Sequence, residues 1–261
     1  MRPHGGGWQL RPAVPLILGV ISRVATLTIP TRHLLRVSML LFYAASDDLD
    51  LDAVRRRGLS GSDNRPVHLH RTLADADRAG SGPILVVDAT ALEASPASNG
   101  APVRVPSVPP AAFQNVAPYR PPTPVAAGGG YVACPLPDDV ALLLIHRRGV
   151  WDLPKGHRDP DEELETCAWR EVREEVGIDT LHVHRPLGTT VHGYPDGDTY
   201  AVKTTHWYLM RTPERSFEPE RHEGIRRVAP ARWSVARSHV GYDSLQRHMD
   251  QVEPDVRAAL S

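Results

Sequence analysis

Apolar residues recur along this chain with two periods, and the alternation between them divides it into elements. Leu164, Cys167, Ala168, Val172 and Val176 fall three and four residues apart, the spacing of one helical face. Gly177 follows where a left-handed C-terminal residue is wanted. Asp159 or Asp161 can cap the start, with Pro160 fixing φ near the first turn. Upstream, the unbroken run from Ala141 to His146 reads as a buried strand, and Val125 to Cys134 as another. Lys203 to Met210 alternates and carries aromatics, as a half-buried strand does, and Ile225 to Trp233 is strand-like as well.

The first half shows the same alternation at smaller scale. Leu40 to Ala44, Val67 to His70 and Pro83 to Ala89 read as strands. Asp48 to Arg57, ending at Gly58, and Leu73 to Ala79 read as helices. Strands interleaved with helices predict an α/β protein. Prolines thicken from Pro102 through Pro106, Pro109, Pro110, Pro118, Pro121, Pro122 and Pro124, the chemistry of a semi-rigid linker. The expected organisation is a small α/β module over 39–100, a linker over 101–124 and a larger domain over 125–255. Ala13 to Ser22 is apolar but too short to span a bilayer, and Arg23 follows at once. Residues 1–38 are therefore read as an extended leader or a mis-assigned start, with translation beginning at Met39.

Composition narrows the function classes. With 30 basic and 31 acidic residues, nothing marks a sequence-independent nucleic-acid binder. Two cysteines give no disulfide framework and fit a reducing cytoplasm, and 13 histidines without HxxxH or CxxC spacing indicate no zinc site.

One segment carries chemistry. Six glutamates lie between Glu162 and Glu175, and Glu171, Glu174 and Glu175 crowd one turn, where like charges repel by about 0.2–0.5 kcal/mol per pair. A solvated acidic face is the ordinary explanation of such a helix. Here, however, Glu171 and Glu175 project inside the apolar stripe and Glu174 lies at its edge. Carboxylates facing a protein body need a cation among them, and a hard divalent metal with oxygen ligands is the natural one. The loop Trp151-Asp152-Leu153-Pro154-Lys155-Gly156 precedes the helix and brings backbone carbonyls and a lysine suited to phosphate oxygens.

Gly156, Glu162, Arg170-Glu171-Val172, Glu174-Glu175 and Gly177-Ile178 match every fixed position of the Nudix box, nine positions over 23 residues. The chain thus resembles a Nudix hydrolase. The resemblance implies an α/β/α sandwich with a mixed sheet, here preceded by the small α/β module. It also implies hydrolysis of phosphoanhydrides in nucleoside diphosphate-linked compounds with Mg²⁺ or Mn²⁺. Glu174 and Glu175 would be the main metal ligands, joined by the Gly156 carbonyl. Glu171 would be a further ligand, or would orient or deprotonate the water. Arg170 would hold a glutamate of the box, and Glu162 would be structural. Outside the box one more glutamate often assists; Glu220 and Glu223 are the candidates, with Glu223 preferred.

W-D-L-P-K-G-H with K-T-T-H-W-Y-L-M is similar to the members acting on diadenosine and diphosphoinositol polyphosphates. That implies a phosphate-rich nucleotide substrate, first of all a dinucleoside polyphosphate, with Arg147, Arg148, Lys155, His157 and Lys203 in reach of its phosphates. RNA 5′-end pyrophosphohydrolysis and a nucleotide-sensing regulator without turnover stand as alternatives. The module over 39–100 resembles the ADP-ribosyltransferase-like half of RNA 2′-phosphotransferases through L-F-Y-A-A-S, R-R-G-L, V-H-L-H and I-L-V-V-D-A, with V-P-S-V-P-P just beyond at 105–110. Ala44 stands where that family's pattern has a histidine, which implies a non-catalytic domain.

Overall fold

The computed structural model describes residues 40–62, 65–92 and 102–260; the expected leader over 1–38 and the start at Met39 lie outside them. The chain begins with β1 (Leu40–Ala44), α1 (Leu51–Arg57), β2 (Leu59–Ser60), β3 (Val67–Leu69), α2 (Leu73–Ala79) and β4 (Ile84–Asp88). Asp50 caps α1 by accepting from the Ala53 N–H at 3.0 Å, and Thr72 caps α2 through the Asp75 N–H at 3.1 Å. β1 and β4 pair antiparallel and bury Leu41, Leu85 and Val87 with Val54 of α1.

The stretch 101–124, expected as a linker, is instead part of the fold. β5 (Val103–Val105) pairs with β3, and β6 (Ser107–Val108) pairs with β2. Val103, Val105, Val108, Phe113 and Val116 complete the module's core. Pro102, Pro106, Pro109 and Pro110 sit between and beside these short strands, where a missing N–H costs no ladder bond, while Pro122 and Pro124 lie within the first residues of the following long strand. The valines and Phe113 interleaved with them were the signal for burial.

The second part is built on a mixed sheet. Its elements are β7 (Pro122–Pro135), β8 (Val140–Arg147), β9 (Val150–Asp152), β10 (Lys155–His157), α3 (Leu164–Val176), β11 (His182–Asp196), β12 (Thr199–Arg211), β13 (Ile225–Arg232), α4 (Trp233–His239) and α5 (Asp243–Leu260). The strand order is β11-β12-β7-β8-β13, with β10 added to β7 and β9 to β8. β12 runs parallel to β7, and the remaining pairs are antiparallel. α3 covers one face over Val132, Leu143, Ile145 and Met210, while α4 and α5 cover the other over Tyr131, Leu142, Trp207 and Leu209. This is the α/β/α sandwich with a mixed sheet.

Gly128 makes the α3 layer possible, because a Cβ there would lie 2.4 Å from the Ala168 nitrogen. The α3 stripe buries Cys167, Ala168, Val172 and Val176, and Gly177 closes the helix at φ 65°, ψ 58° with its N–H on Arg173. Neither Asp159 nor Asp161 caps the start: Glu163 occupies the cap position without a side-chain bond, and Asp161 turns the chain at φ 62°.

The first module packs onto the far end of the sheet. Leu40, Phe42 and Val86 meet Tyr200 and Val202 of β12 in one apolar cluster. Asn115, buried between the two parts, accepts from the Val86 N–H at 2.8 Å and donates to the Ile84 and Arg120 carbonyls at 3.0 and 2.9 Å. Arg120 in turn donates to the Gly197 carbonyl at the β11–β12 turn. Asn115→Ala strands three backbone groups and is expected to lower unfolding free energy by about 1–3 kcal/mol. Asn115→Asp, which cannot donate to the two carbonyls, should not restore it. Equal urea midpoints for Asn115→Ala and wild type would remove the joint from this account.

Candidate active site

The acidic face of α3 looks onto the loop that ends β9 and starts β10. Glu175 is fully buried and Glu171 nearly so, while Glu174 is half-exposed at the edge of the stripe. Three groups hold Glu175. The Lys155 N–H donates to Oε2 at 2.7 Å, Arg147 Nη1 donates to Oε1 at 3.1 Å, and the Lys155 and Arg147 charges favour its ionised form. Burial outweighs them and pushes the Glu175 carboxyl up to about 8. Burial likewise raises Glu171.

Arg170 organises the remainder of the acids. It grips Glu162 with two bonds of 2.8 Å, donates to Glu171 at 2.8 Å and Glu174 at 3.1 Å, and reaches the His157 carbonyl at 3.1 Å. These bonds lower the Glu162 carboxyl to about 2. Arg147 bridges from Glu175 to Glu223 at 3.3 Å, so β8, α3 and the loop before β13 converge on one guanidinium. Glu220 is turned away: its backbone N–H bonds the Glu175 carbonyl and its carboxylate accepts from the His222 N–H.

Lys155 projects toward the opposite face, where its ammonium bonds Asp152 at 2.6 Å with both side chains buried. His157 is largely exposed; partial loss of solvent around its ring, then the charges of Lys203, Lys155 and Arg147, hold its pKa below the usual value. Lys203 is buried on β12 within Coulombic reach of Lys155, Arg147 and Glu175. Arg148 lies in the β8–β9 turn at φ 52°. Sequence reasoning missed Asp152 as the partner of Lys155, although it stands three residues upstream in the same loop. It also missed β11, whose His192 and Tyr194 have no periodic signal because that strand is largely half-exposed.

Among the described residues, no three His, Cys, Asp or Glu side chains converge as a ready-made metal cluster, since two arginines hold the acids apart. The donor set nevertheless suits a hard divalent cation. Glu171, Glu174 and Glu175 are carboxylates on one helical face, and Glu171 Oε2 lies where a Cβ on Gly156 would sit, at 1.6 Å. Only glycine at 156 leaves room for that carboxylate beside the loop backbone.

The raised Glu175 carboxyl makes stability pH-dependent. Between the ordinary carboxylate range and about pH 8, the folded chain keeps a proton that the unfolded chain has released. Stability therefore falls as pH rises through that window. In EDTA, Glu175→Gln should be more stable than wild type at pH 9 by roughly 2–4 kcal/mol, with the difference vanishing near pH 4.5. A pH-independent difference in urea unfolding would contradict the assignment.

Residues 130–241 match the NUDIX domain family. The putative mutator protein MutT4 of Mycobacterium tuberculosis is 42% identical over 76 residues, covering 28% of this chain and 30% of that protein. An RNA pyrophosphohydrolase of Gluconacetobacter diazotrophicus is 35% identical over 71 residues, 24% of this chain and 42% of that one. The matches thus span less than half the length of either curated relative. Among solved structures, a C. elegans Ap4A hydrolase aligns at a TM-score of 0.43 with 19% identity, over 51% of this chain and 98% of that one. The family match falls on the sheet, the acidic helix and the loop just described, and residues 130–241 carry a NUDIX domain.

Proposed function

We propose that this chain is a divalent-metal-dependent hydrolase of phosphoanhydride bonds in nucleoside diphosphate-linked compounds, with dinucleoside polyphosphates as its first substrate class. The observation that carries the reading is the pair of buried carboxylates, Glu171 and Glu175, on the inward face of α3 beside Gly156. Burying two such groups is costly and serves no packing purpose that leucine would not serve better.

Glu174, Glu175, Glu171 and the Gly156 carbonyl would hold the ion, Mg²⁺ or Mn²⁺. Once bound, such an ion neutralises the anhydride oxygens and lowers the pKa of an attacking water. Arg170 keeps Glu171 and Glu174 oriented through its paired bonds to Glu162. Glu171, its pKa raised by burial, is a stronger base than an exposed carboxylate and is placed to accept the water's proton. Glu223 shares Arg147 with Glu175 and serves as the assisting acid outside the box. Arg147, Lys203 and Lys155 bring positive charge beside the acids, with His157 next to them, and would meet the substrate's phosphates. Cleavage of RNA 5′ ends remains a second reading, favoured by the likeness to the RNA pyrophosphohydrolase. The first module is read as non-catalytic support, with Leu40, Phe42 and Val86 backing β12 at Tyr200 and Val202.

Glu174→Gln should lower kcat/KM by about 10²- to 10³-fold with the urea midpoint unchanged, and EDTA should abolish turnover until Mg²⁺ is restored. The screen covers dinucleoside polyphosphates, nucleotide sugars and triphosphorylated RNA, with products identified. Full Mg²⁺-dependent activity in Glu174→Gln would refute the ligand assignment. Tight binding without turnover of any compound would favour the regulator.

A further inference from the structure

Among the described residues, five buried side chains carry a formal charge: Asp152, Lys155, Glu171, Glu175 and Lys203. The proposed chemistry uses four of them and leaves Asp152 without a part. Asp152 ends β9, and its carboxylate is almost fully enclosed. Both of its oxygens are engaged. Oδ1 accepts from the Leu153 N–H at 2.8 Å, and Oδ2 accepts from Lys155 Nζ at 2.6 Å.

A buried ion pair is weak evidence for stability, because two apolar side chains of similar volume commonly serve a fold as well or better. Apolar surroundings are at hand here, since the adjoining Leu153 belongs to the core cluster of Tyr131 and Trp207. The pair therefore calls for a reason other than packing.

Lys155 supplies one. Its ammonium is fixed by Asp152, and its main-chain N–H donates to Glu175 Oε2 at 2.7 Å. One residue thus joins the end of β9 to the most deeply buried acid of α3. The segment between is equally constrained. Leu153 is fully buried, and the Pro154 carbonyl accepts from the Gly130 N–H at 3.0 Å. Lys155 lies opposite Gly129 of β7, where an added Cβ would come within 2.7 Å of the Lys155 Cβ. Gly156, whose carbonyl would join the ion, follows directly in the chain.

We propose that Asp152 is a positioning residue: by holding the Lys155 ammonium it fixes the Lys155 N–H on Glu175 and sets the Gly156 carbonyl beside the box acids. The inference rests on the proposed hydrolase reading and adds to it a residue that prepares the acids without touching the ion. Groups one step removed from a metal ligand orient it, and their loss typically weakens the ion by about 10- to 100-fold.

The test is calorimetric titration of the full chain with Mn²⁺ alone, joined to amide hydrogen exchange followed by NMR. Asp152→Asn leaves the Lys155 ammonium buried and unpaired, so it should lower the urea midpoint as well. The decisive variant is Asp152→Asn combined with Lys155→Met. It removes one negative and one positive charge and keeps an acceptor for the Leu153 N–H, so its urea midpoint should stay near wild type. Its Mn²⁺ dissociation constant should rise by about 10- to 100-fold, an effect that net charge cannot produce because net charge is unaltered. The Lys155-position amide should exchange about tenfold faster or more, with the amides of α3 unchanged. Wild-type Mn²⁺ affinity or wild-type exchange at position 155 in the double variant would overturn the proposal, as would faster exchange spread evenly over the sheet and α3. Failure of the wild-type chain to take up Mn²⁺ would count against the hydrolase reading instead, and exchange at position 155 would then decide the role of Asp152.

Discussion

Everything around the acidic helix depends on keeping two carboxylates inside the protein. Glu171 and Glu175 share the face of α3 that buries Cys167, Ala168, Val172 and Val176. An uncompensated carboxylate there would be protonated or would expel the helix. Arg147 and Arg170 offset part of that cost, one from β8 and one from α3 itself, each bridging two or more acids, although burial still raises both carboxyls. The Lys155 N–H adds a fixed donor from the loop, and Gly156 adds space. The fold's task at this end is to bring a strand terminus, a loop without side-chain bulk and a helix face to one point.

The opposite end of the sheet answers a different constraint. β12 is parallel to β7 and antiparallel to β11, and it carries Lys203 buried and without an ion pair among the described residues, with the Asp152 and Glu175 charges nearby. A buried cation tends to pull its strand toward solvent. The apolar cluster of Leu40, Phe42, Val86, Tyr200 and Val202 anchors the neighbouring residues from the other face, and Asn115 ties the connection down. The first module thus packs on the face of β12 opposite Lys203.

What was legible in the sequence was local. The α3 stripe, its inward acids and the Gly177 stop follow from spacing within one helix, and the buried runs in β7, β8 and β12 follow from hydrophobicity alone. Two kinds of feature were not legible. Proline density disguised β5 and β6, because what makes them strands is pairing with β3 and β2, 34 to 49 residues upstream. The α5 helix has its stripe in Leu245, Met249, Val252 and Val256, but Pro254 in its interior argued against a helix by propensity. Burial of that stripe against Trp207 and Leu209 overrides the local preference.

The same division separates chemistry from selectivity. The groups that would hold a metal lie within twenty residues of one another, Gly156 to Glu175, so a single motif can specify them. The further groups proposed to meet the substrate come from β8, β12 and the loop before β13, and only the ladder register sets His192 beside Lys203. A one-residue slip of β11 would turn His192 and Tyr194 to the other face. Register there is fixed by the Gly197 turn at φ 55° and by Trp207 donating to Thr190. On the proposed reading, the loop and α3 set the reaction class while groups on other strands bear on substrate choice, so the two can vary separately.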